Sequence, residues 1–240
     1  MQLAKNLYTV CGYAYSSQDN VYAIQAPHGV ILVDTGTDDR EYDIVQENLA
    51  YWGLGPVTHV ILSHAHINHC FNAARFQREG AQIICAEAVA DAIATASDRL
   101  IDYHRTSFSY HVKSFTRCTA DRVIAATGIY DIAGQTFDIR ITNGHSKGGL
   151  VCFSSIGGRQ AMFTGDFIQI APENTHAVVG WNGDIEYDPQ VCLTELQQLS
   201  VEEPDMILPG HGQQCLRDAW QMPKNAYVRA LRATHRSLNP

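Results

Sequence analysis

Five histidines and one aspartate stand where metal chemistry could gather. The run His64-Ala65-His66-Ile67-Asn68-His69 packs three imidazoles into six residues. Gly144-His145, Gly165-Asp166 and Gly210-His211 each set one more ligand type beside a glycine. Imidazole and carboxylate suit zinc, iron or manganese. The set exceeds what one tetrahedral ion needs, and it fits two ions sharing a carboxylate bridge. Any one of these histidines alone reads as an ordinary surface or core residue; the ordered set does not.

The elements that must position these residues are strands. Residues 58–62 form an apolar run that leads directly into Ser63 and His64. Runs at 137–142, 160–164 and 206–208 precede His145, Asp166 and His211. Each candidate thus sits at the C-terminal end of an apolar strand, where sheet-based proteins assemble sites. Residues 21–26 alternate loosely, and 30–34 end in Asp34-Thr35-Gly36. Ile44, Val45, Leu49 and Trp52 predict a helix over 39–52, stopped by Gly53. Further patterning predicts a helix over 70–78, a strand at 82–85 and an Ala-rich helix at 87–96. This alternation marks α/β layering. Residues 98–121, with Tyr103, His104, Phe108, Tyr110, His111 and Phe115, break it. They read as an inserted helical or irregular segment, either a lid or a surface helix pair. Beyond 122 strands dominate, with a hairpin over Gly157-Gly158. Asp188-Pro189 opens a helix, and 217–237 reads as a helical tail. No repeat or linker appears, so one domain over 1–240 is expected.

Composition removes several function classes. The 240 residues carry 17 Lys and Arg against 25 Asp and Glu, a formal charge of −8. The basic residues are scattered, so no nucleic-acid partner is expected. No run of about 18 apolar residues exists to span a membrane. The N-terminal residues lack a signal-peptide core, which predicts a cytoplasmic chain. Seven cysteines without a Cys-x-x-Cys pair read as reduced thiols. Cys70, on a helix, points about 100° from His69 and reads as packing. No Gly-x-Ser-x-Gly elbow supports a serine nucleophile. A small molecule is the expected partner, and homo-oligomerisation stays open.

The motifs together resemble the metallo-β-lactamase superfamily in its broad sense, which includes glyoxalase II and the lactonases. Its signature is His-x-His-x-Asp-His, then Gly-His, Gly-Asp and Gly-His, with an early Asp-Thr-Gly. The resemblance spans about residues 20–213. It implies an αββα four-layer sandwich with metals at one edge. By carry-over, His64, His66 and His145 would hold a first metal. His69 and His211 would hold a second, with Asp166 bridging. Zinc is the first expectation, up to two ions, with iron or manganese as alternatives. Asp34 and Ser63 would support the histidine loop. The implied activity is hydrolysis of an ester, lactone, thioester or related bond by metal-bound hydroxide, with β-lactam or phosphodiester hydrolysis as weaker alternatives.

One position departs from the family pattern. Asn68 stands where the family has Asp, so a second metal loses an anionic ligand and the hydroxide loses a carboxylate acceptor. Asn68 and Asp166 are the expected catalytic residues. A homologue that binds metal with little turnover is the competing reading. Lys147, Trp181 and Tyr187 are candidate substrate contacts: Lys147 for a carboxylate or phosphate, Tyr187 for a developing oxyanion. For Lys147 a solvated loop lysine is the better reading.

Overall fold

The computed structural model describes residues 1–97, 115–173, 175–183 and 185–238. Two sheets carry the architecture. The first runs β1 (Gln2–Ala4), β2 (Leu7–Cys11), β3 (Val21–Ala26), β4 (Gly29–Val33), β5 (Val57–Ile61), β6 (Gln82–Ala86) and β7 (Arg122–Ile124), in spatial order β1 to β7. Strands β1 to β4 pair antiparallel, and β4 to β7 pair parallel. The second sheet holds β8 (Gly128–Ile132), β9 (Gln135–Thr142), β10 (Gly149–Ile156), β11 (Arg159–Gly165) and β14 (Met206–Pro209), in the order β14-β11-β10-β9-β8. Only β14 joins its neighbour in parallel. A small antiparallel pair, β12 (Ile168–Ile170) and β13 (Ala177–Val179), follows β11.

Period-2 alternation sorts the core into layers. In β4, Val30 and Leu32 face helices, while Ile31 and Val33 face the second sheet. In β10, Val151 and Phe153 point the other way from Leu150 and Cys152. The inter-sheet layer therefore interleaves Tyr22, Ile24, Ile61 and Ile84 with Phe137, Ile139, Phe163 and Leu208. Helices α1 (Asp39–Tyr51), α3 (Ala73–Arg78) and α4 (Glu87–Thr95) cover the first sheet. Helices α5 (Pro189–Leu199) and α6 (Met222–Leu238) cover the second. The result is the expected αββα sandwich.

The caps explain the helix boundaries. Asp38 accepts the Glu41 N–H at 2.8 Å to start α1, which buries Tyr42, Val45 and Leu49. Asp188 accepts the N–H groups of Gln190 and Val191 to start α5, with Pro189 in the first turn. Two boundaries differ from the sequence pattern. The helix expected over 70–78 is broken: α2 (Ile67–Cys70) precedes α3, and the Asn72 N–H goes to Thr35 Oγ1 at 3.2 Å. The Asn72 amide also donates to the carbonyls of Thr35 and Asp38, tying the break to that loop. The tail begins with a 3-10 turn at Ala219–Gln221, and α6 starts at Met222, where Pro223 suits a first turn. Strands β1, β2 and β8 carry no patterning strong enough to announce them. Of the expected insert at 98–121, residues 98–114 lie outside the described residues; 115–121 run without helix or strand into β7. Among the described residues no helix is long and apolar enough to cross a membrane.

Candidate metal centre

Four strand ends converge at one edge of the sandwich. β5 ends at Ile61 and its continuation carries His64 and His66 into the start of α2, which holds Asn68 and His69. β9, β11 and β14 deliver His145, Asp166 and His211. The Leu150 N–H donates to the Ser63 carbonyl at 2.7 Å, and the Gly210 N–H to the Gly165 carbonyl at 2.7 Å. The first bond ties the histidine loop to the second sheet, and the second ties the Asp166 and His211 loops at neighbouring strand ends of that sheet.

The side chains form two clusters that share one carboxylate. His64, His66, His145 and Asp166 place one ligand atom each within 4.8 Å of one another; His69, Asp166 and His211 do the same. Asp166 Oδ2 lies 3.2 Å from His211 Nε2, 3.9 Å from His145 Nε2 and 4.0 Å from His64 Nε2. Its Oδ1 lies 3.5 Å from His69 Nε2. His64 Nε2 and His66 Nδ1 are 3.0 Å apart. All these residues are buried except His211, which is partly exposed.

Asp34 organises the histidines from behind. Its backbone is left-handed, with φ +64°, a conformation that aspartate tolerates better than most residues. Its Oδ1 accepts the Ser63 N–H at 2.7 Å, and its Oδ2 accepts the Ser63 hydroxyl at 2.8 Å. The Ser63 proton is thereby committed to Asp34, so Ser63 Oγ must accept the Nδ1–H of His64 at 2.9 Å. Asp34 Oδ2 also accepts the His69 Nδ1–H at 2.9 Å. Both imidazoles are thus set with Nε2 facing Asp166.

The electrostatics follow from this crowding. Burial first, then the neighbouring imidazoles, holds His64 well below the usual histidine range. Burial also pulls on His69 and His211, but carboxylates outweigh it. Asp166 and Asp34 raise His69 well above its ordinary value, and Asp166 raises His211 to about 9. Burial pushes Asp166 up, yet His211 and His69 overcome it and hold the carboxyl well below its usual range. A carboxylate held ionised among imidazole nitrogens, two of which it draws towards the protonated form, marks a place where a cation would take over from those protons, with nitrogen and carboxylate donors.

Two observations test that fit. His69 Nε2 and Asp166 Oδ1 are buried and make no hydrogen bond among the described residues, as ligand atoms aimed at a cation would. Gly210 leaves room beside them. A Cβ there would come 2.6 Å from His69 Cε1 and 2.7 Å from Asp166 Oδ1. The residues fit one or two divalent cations.

A cavity of about 380 Å³ opens onto this edge, lined among others by Tyr13, Gln18, His66, Asn68, Trp181 and His211. Trp181 lies with its ring 5.9 Å from that of His66. The other two candidate substrate contacts stand elsewhere. Lys147 Nζ is 3.4 Å from Glu186 Oε1, a buried carboxylate, and is not on the cavity wall. Tyr187 packs against the core beneath α5, where burial pushes its phenol up to about 12. Cys70 is buried, with its thiol donating to the Ala65 carbonyl.

One residue escaped sequence reasoning. Asp19 is buried and reaches both His211 and Asn68: its Oδ1 lies 3.2 Å from His211 Nδ1 and accepts from Asn68 Nδ2 at 3.1 Å. The only signal was a polar Asp19-Asn20 pair at the mouth of the strand 21–26. Asn20 has its own task, since its amide donates to the carbonyls of Pro209 and Gly212 and holds the His211 loop.

Comparison with known proteins accords with this arrangement. No curated protein matches the chain. Among solved structures the chain is similar to the MIM-2 metallo-beta-lactamase, with a TM-score of 0.73 at 21% identity, over 99% of this chain and 88% of that one. It is similar to the native FEZ-1 metallo-beta-lactamase from Legionella gormanii, with a TM-score of 0.73 at 17% identity, covering 99% and 94%. The beta-lactamase from Chitinophaga pinensis gives 0.73 at 16% identity, covering 99% and 91%. At these identities the likeness speaks for the fold. The family model of the metallo-beta-lactamase superfamily matches residues 15–211, most of the chain, and the candidate cluster closes at the last of them. The chain belongs to the metallo-beta-lactamase superfamily.

Proposed function

We propose that this chain is a metal-dependent hydrolase acting on an ester, lactone, thioester or related bond of a small molecule. The observation that carries the reading is the convergence of five imidazoles on the single carboxylate of Asp166, at the wall of a solvent-reached cavity. Zinc suits the nitrogen-rich donor set best, and iron or manganese also fit it. A bound divalent cation lowers the pKa of water from 15.7 towards 7 and polarises a carbonyl oxygen. His64, His66 and His145 would hold one cation, His69 and His211 a second, with Asp166 between them. Asp34 and Ser63 keep the Nε2 atoms of His64 and His69 turned inward. Trp181 offers an apolar wall beside His66, against which the acyl or alkoxy part of a substrate would rest. A cavity of about 380 Å³ suits a small molecule.

Asn68 favours a second reading, a protein that binds metal with little turnover. At the cavity wall it presents an amide, which supplies no charge and takes up no proton. One experiment separates the two. Metal content is measured on the purified protein; the chelated protein is then reloaded with zinc, manganese or iron and assayed against ester, lactone, thioester, lactam and phosphodiester substrates. Hydrolysis abolished by chelation and restored by metal supports the enzyme. Tight metal without turnover of any substrate supports the binding protein, and absence of metal binding removes both.

A further inference from the structure

Asp19 precedes β3 and belongs to no part of the proposed ligand set. Yet its carboxylate is buried and each oxygen is engaged. Oδ2 accepts the Thr37 hydroxyl, and Oδ1 faces both His211 Nδ1 and Asn68 Nδ2. An antiparallel backbone bridge between Asp19 and His211 holds the segment before β3 to the loop after β14 at the same point. The protons can be assigned from partners alone. His211 Nδ1 lies 3.2 Å from the Asp19 carboxylate and 3.0 Å from the Gln18 carbonyl, both acceptors only, so Nδ1 carries a hydrogen. That leaves Nε2, which lies 3.2 Å from Asp166 and 3.0 Å from the Asn68 Nδ2 donor, as the nitrogen whose lone pair would meet a cation. The Asn68 amide is fixed by the same carboxylate. Turning it over would set its oxygen 3.1 Å from Asp19 Oδ1, acceptor against acceptor.

We propose that Asp19 is the positioning residue of the His69–Asp166–His211 cluster, supplying through His211 and the Asn68 amide the negative charge that Asn68 itself does not carry. Asp19 and Asn68 form one carboxylate–amide unit, with the charge on the strand-end residue and the amide on the helix residue. The inference rests on the metal-site reading above. It goes further in making a residue remote in sequence the determinant of the second cation's affinity.

The unit predicts a definite pattern in a double-substitution cycle. Zn²⁺ affinities of both sites are measured by competition with a chromophoric chelator, with stoichiometry from elemental analysis after dialysis. Asp19→Asn keeps the shape and removes the charge. It should weaken the second equivalent by about 10–100-fold, the scale for groups that orient metal ligands, and leave the first within about threefold. Asn68→Asp alone sets two carboxylates 3.1 Å apart, so it should gain little. The pair Asp19→Asn with Asn68→Asp exchanges carboxylate and amide, and should return the second equivalent to within about tenfold of wild type. Thermal melts of the chelated proteins control for folding, and Asp19→Ser provides a smaller replacement should Asp19→Asn fold poorly.

Loss of both equivalents in parallel would make Asp19 a general structural residue and overturn the proposal. An unchanged second equivalent, or one cation only in wild type, overturns it as well. Equal effects of Asn68→Asp with and without Asp19→Asn would show that the two residues do not act as a unit. A wild-type protein that binds no Zn²⁺ at all instead removes the metal-site reading itself.

Discussion

Asp34→Asn tests how the candidate centre is organised, because it changes one atom type and little else. Asparagine tolerates the left-handed backbone of Asp34 as well as aspartate does, so φ +64° adds no strain. The amide fits the same space. What changes is the number of acceptors. Asp34 accepts three protons, from Ser63 N–H, Ser63 Oγ–H and His69 Nδ1–H, on two oxygens. An amide has only one oxygen. If its NH2 takes the Oδ1 place, it meets the Ser63 N–H at 2.7 Å, donor against donor. If it takes the Oδ2 place, His69 must move its proton to Nε2, pointing a hydrogen at Asp166 where a cation would bind. The Ser63 hydroxyl must also turn away, and His64 loses its fixed tautomer.

Either outcome leaves a buried polar group unsatisfied, at a cost of about 1–3 kcal/mol. For a chain of this length that lowers Tm by roughly 4–8 °C for a 2 kcal/mol loss. Metal affinity should fall by about 10–100-fold. The assay is a thermal melt of chelated wild type and variant, followed by zinc titration of both. A variant that melts within 1 °C of wild type by this roughly 4–8 °C standard, and binds zinc equally, refutes the proton assignments around Asp34.

Three further outcomes follow from the same geometry. Gly210→Ala places a methyl group 2.6 Å from His69 Cε1 and 2.7 Å from Asp166 Oδ1, so elemental analysis should show at least a tenfold weaker second cation in a folded protein. Glu41 is buried beside Asp19, and burial, then Asp19, raises its carboxyl to about 7. A raised folded pKa gives stability that is complete below the unfolded value near 4.5 and lost as pH rises to about 7. Urea unfolding of the chelated protein should therefore show Glu41→Gln gaining on wild type between pH 4.5 and 7, by on the order of 3 kcal/mol; parallel curves would contradict this. Trp181→Ala should raise KM several-fold for whichever substrate is turned over. Tyr187→Phe and Lys147→Ala, away from the cavity wall, should leave kcat/KM within about twofold.

Much of the sandwich was legible because its information is local. The unbroken apolar run Val30-Ile31-Leu32-Val33 reads as a strand buried on both faces, as it is between helices and the opposite sheet, and that reading needs no knowledge of partners. The strand-end placement of His64, His145, Asp166 and His211 was legible for the same reason: each follows an apolar run and sits in a short loop. What stayed hidden depends on contacts between segments far apart in sequence. The break before α3 comes from Thr35 capturing the Asn72 N–H, 37 positions away, which no helical periodicity reports. Lys147 read as a solvated loop lysine, with a substrate contact as the alternative, because its partner Glu186 is 39 residues downstream of it.

Asp19 is the sharpest case. In the sequence it is one acidic residue before an apolar strand, as ordinary as any loop aspartate. Its meaning arises only when antiparallel β3 and parallel β14 bring residue 19 beside residue 211, and α2 brings residue 68 over both. Reading Asn68 alone suggests a site that has lost a charge. Reading it with Asp19 suggests a charge held one residue further back, with an amide between it and the cavity. Charge held behind an amide screens less of a cation's field at the cavity than charge on a direct ligand would. The substitution therefore removes a proton acceptor from the cavity wall, while Asp19 behind the amide keeps part of the attraction for metal. That separation of proton affinity from metal affinity is what measuring zinc binding and the pH dependence of turnover on the same variants would reveal.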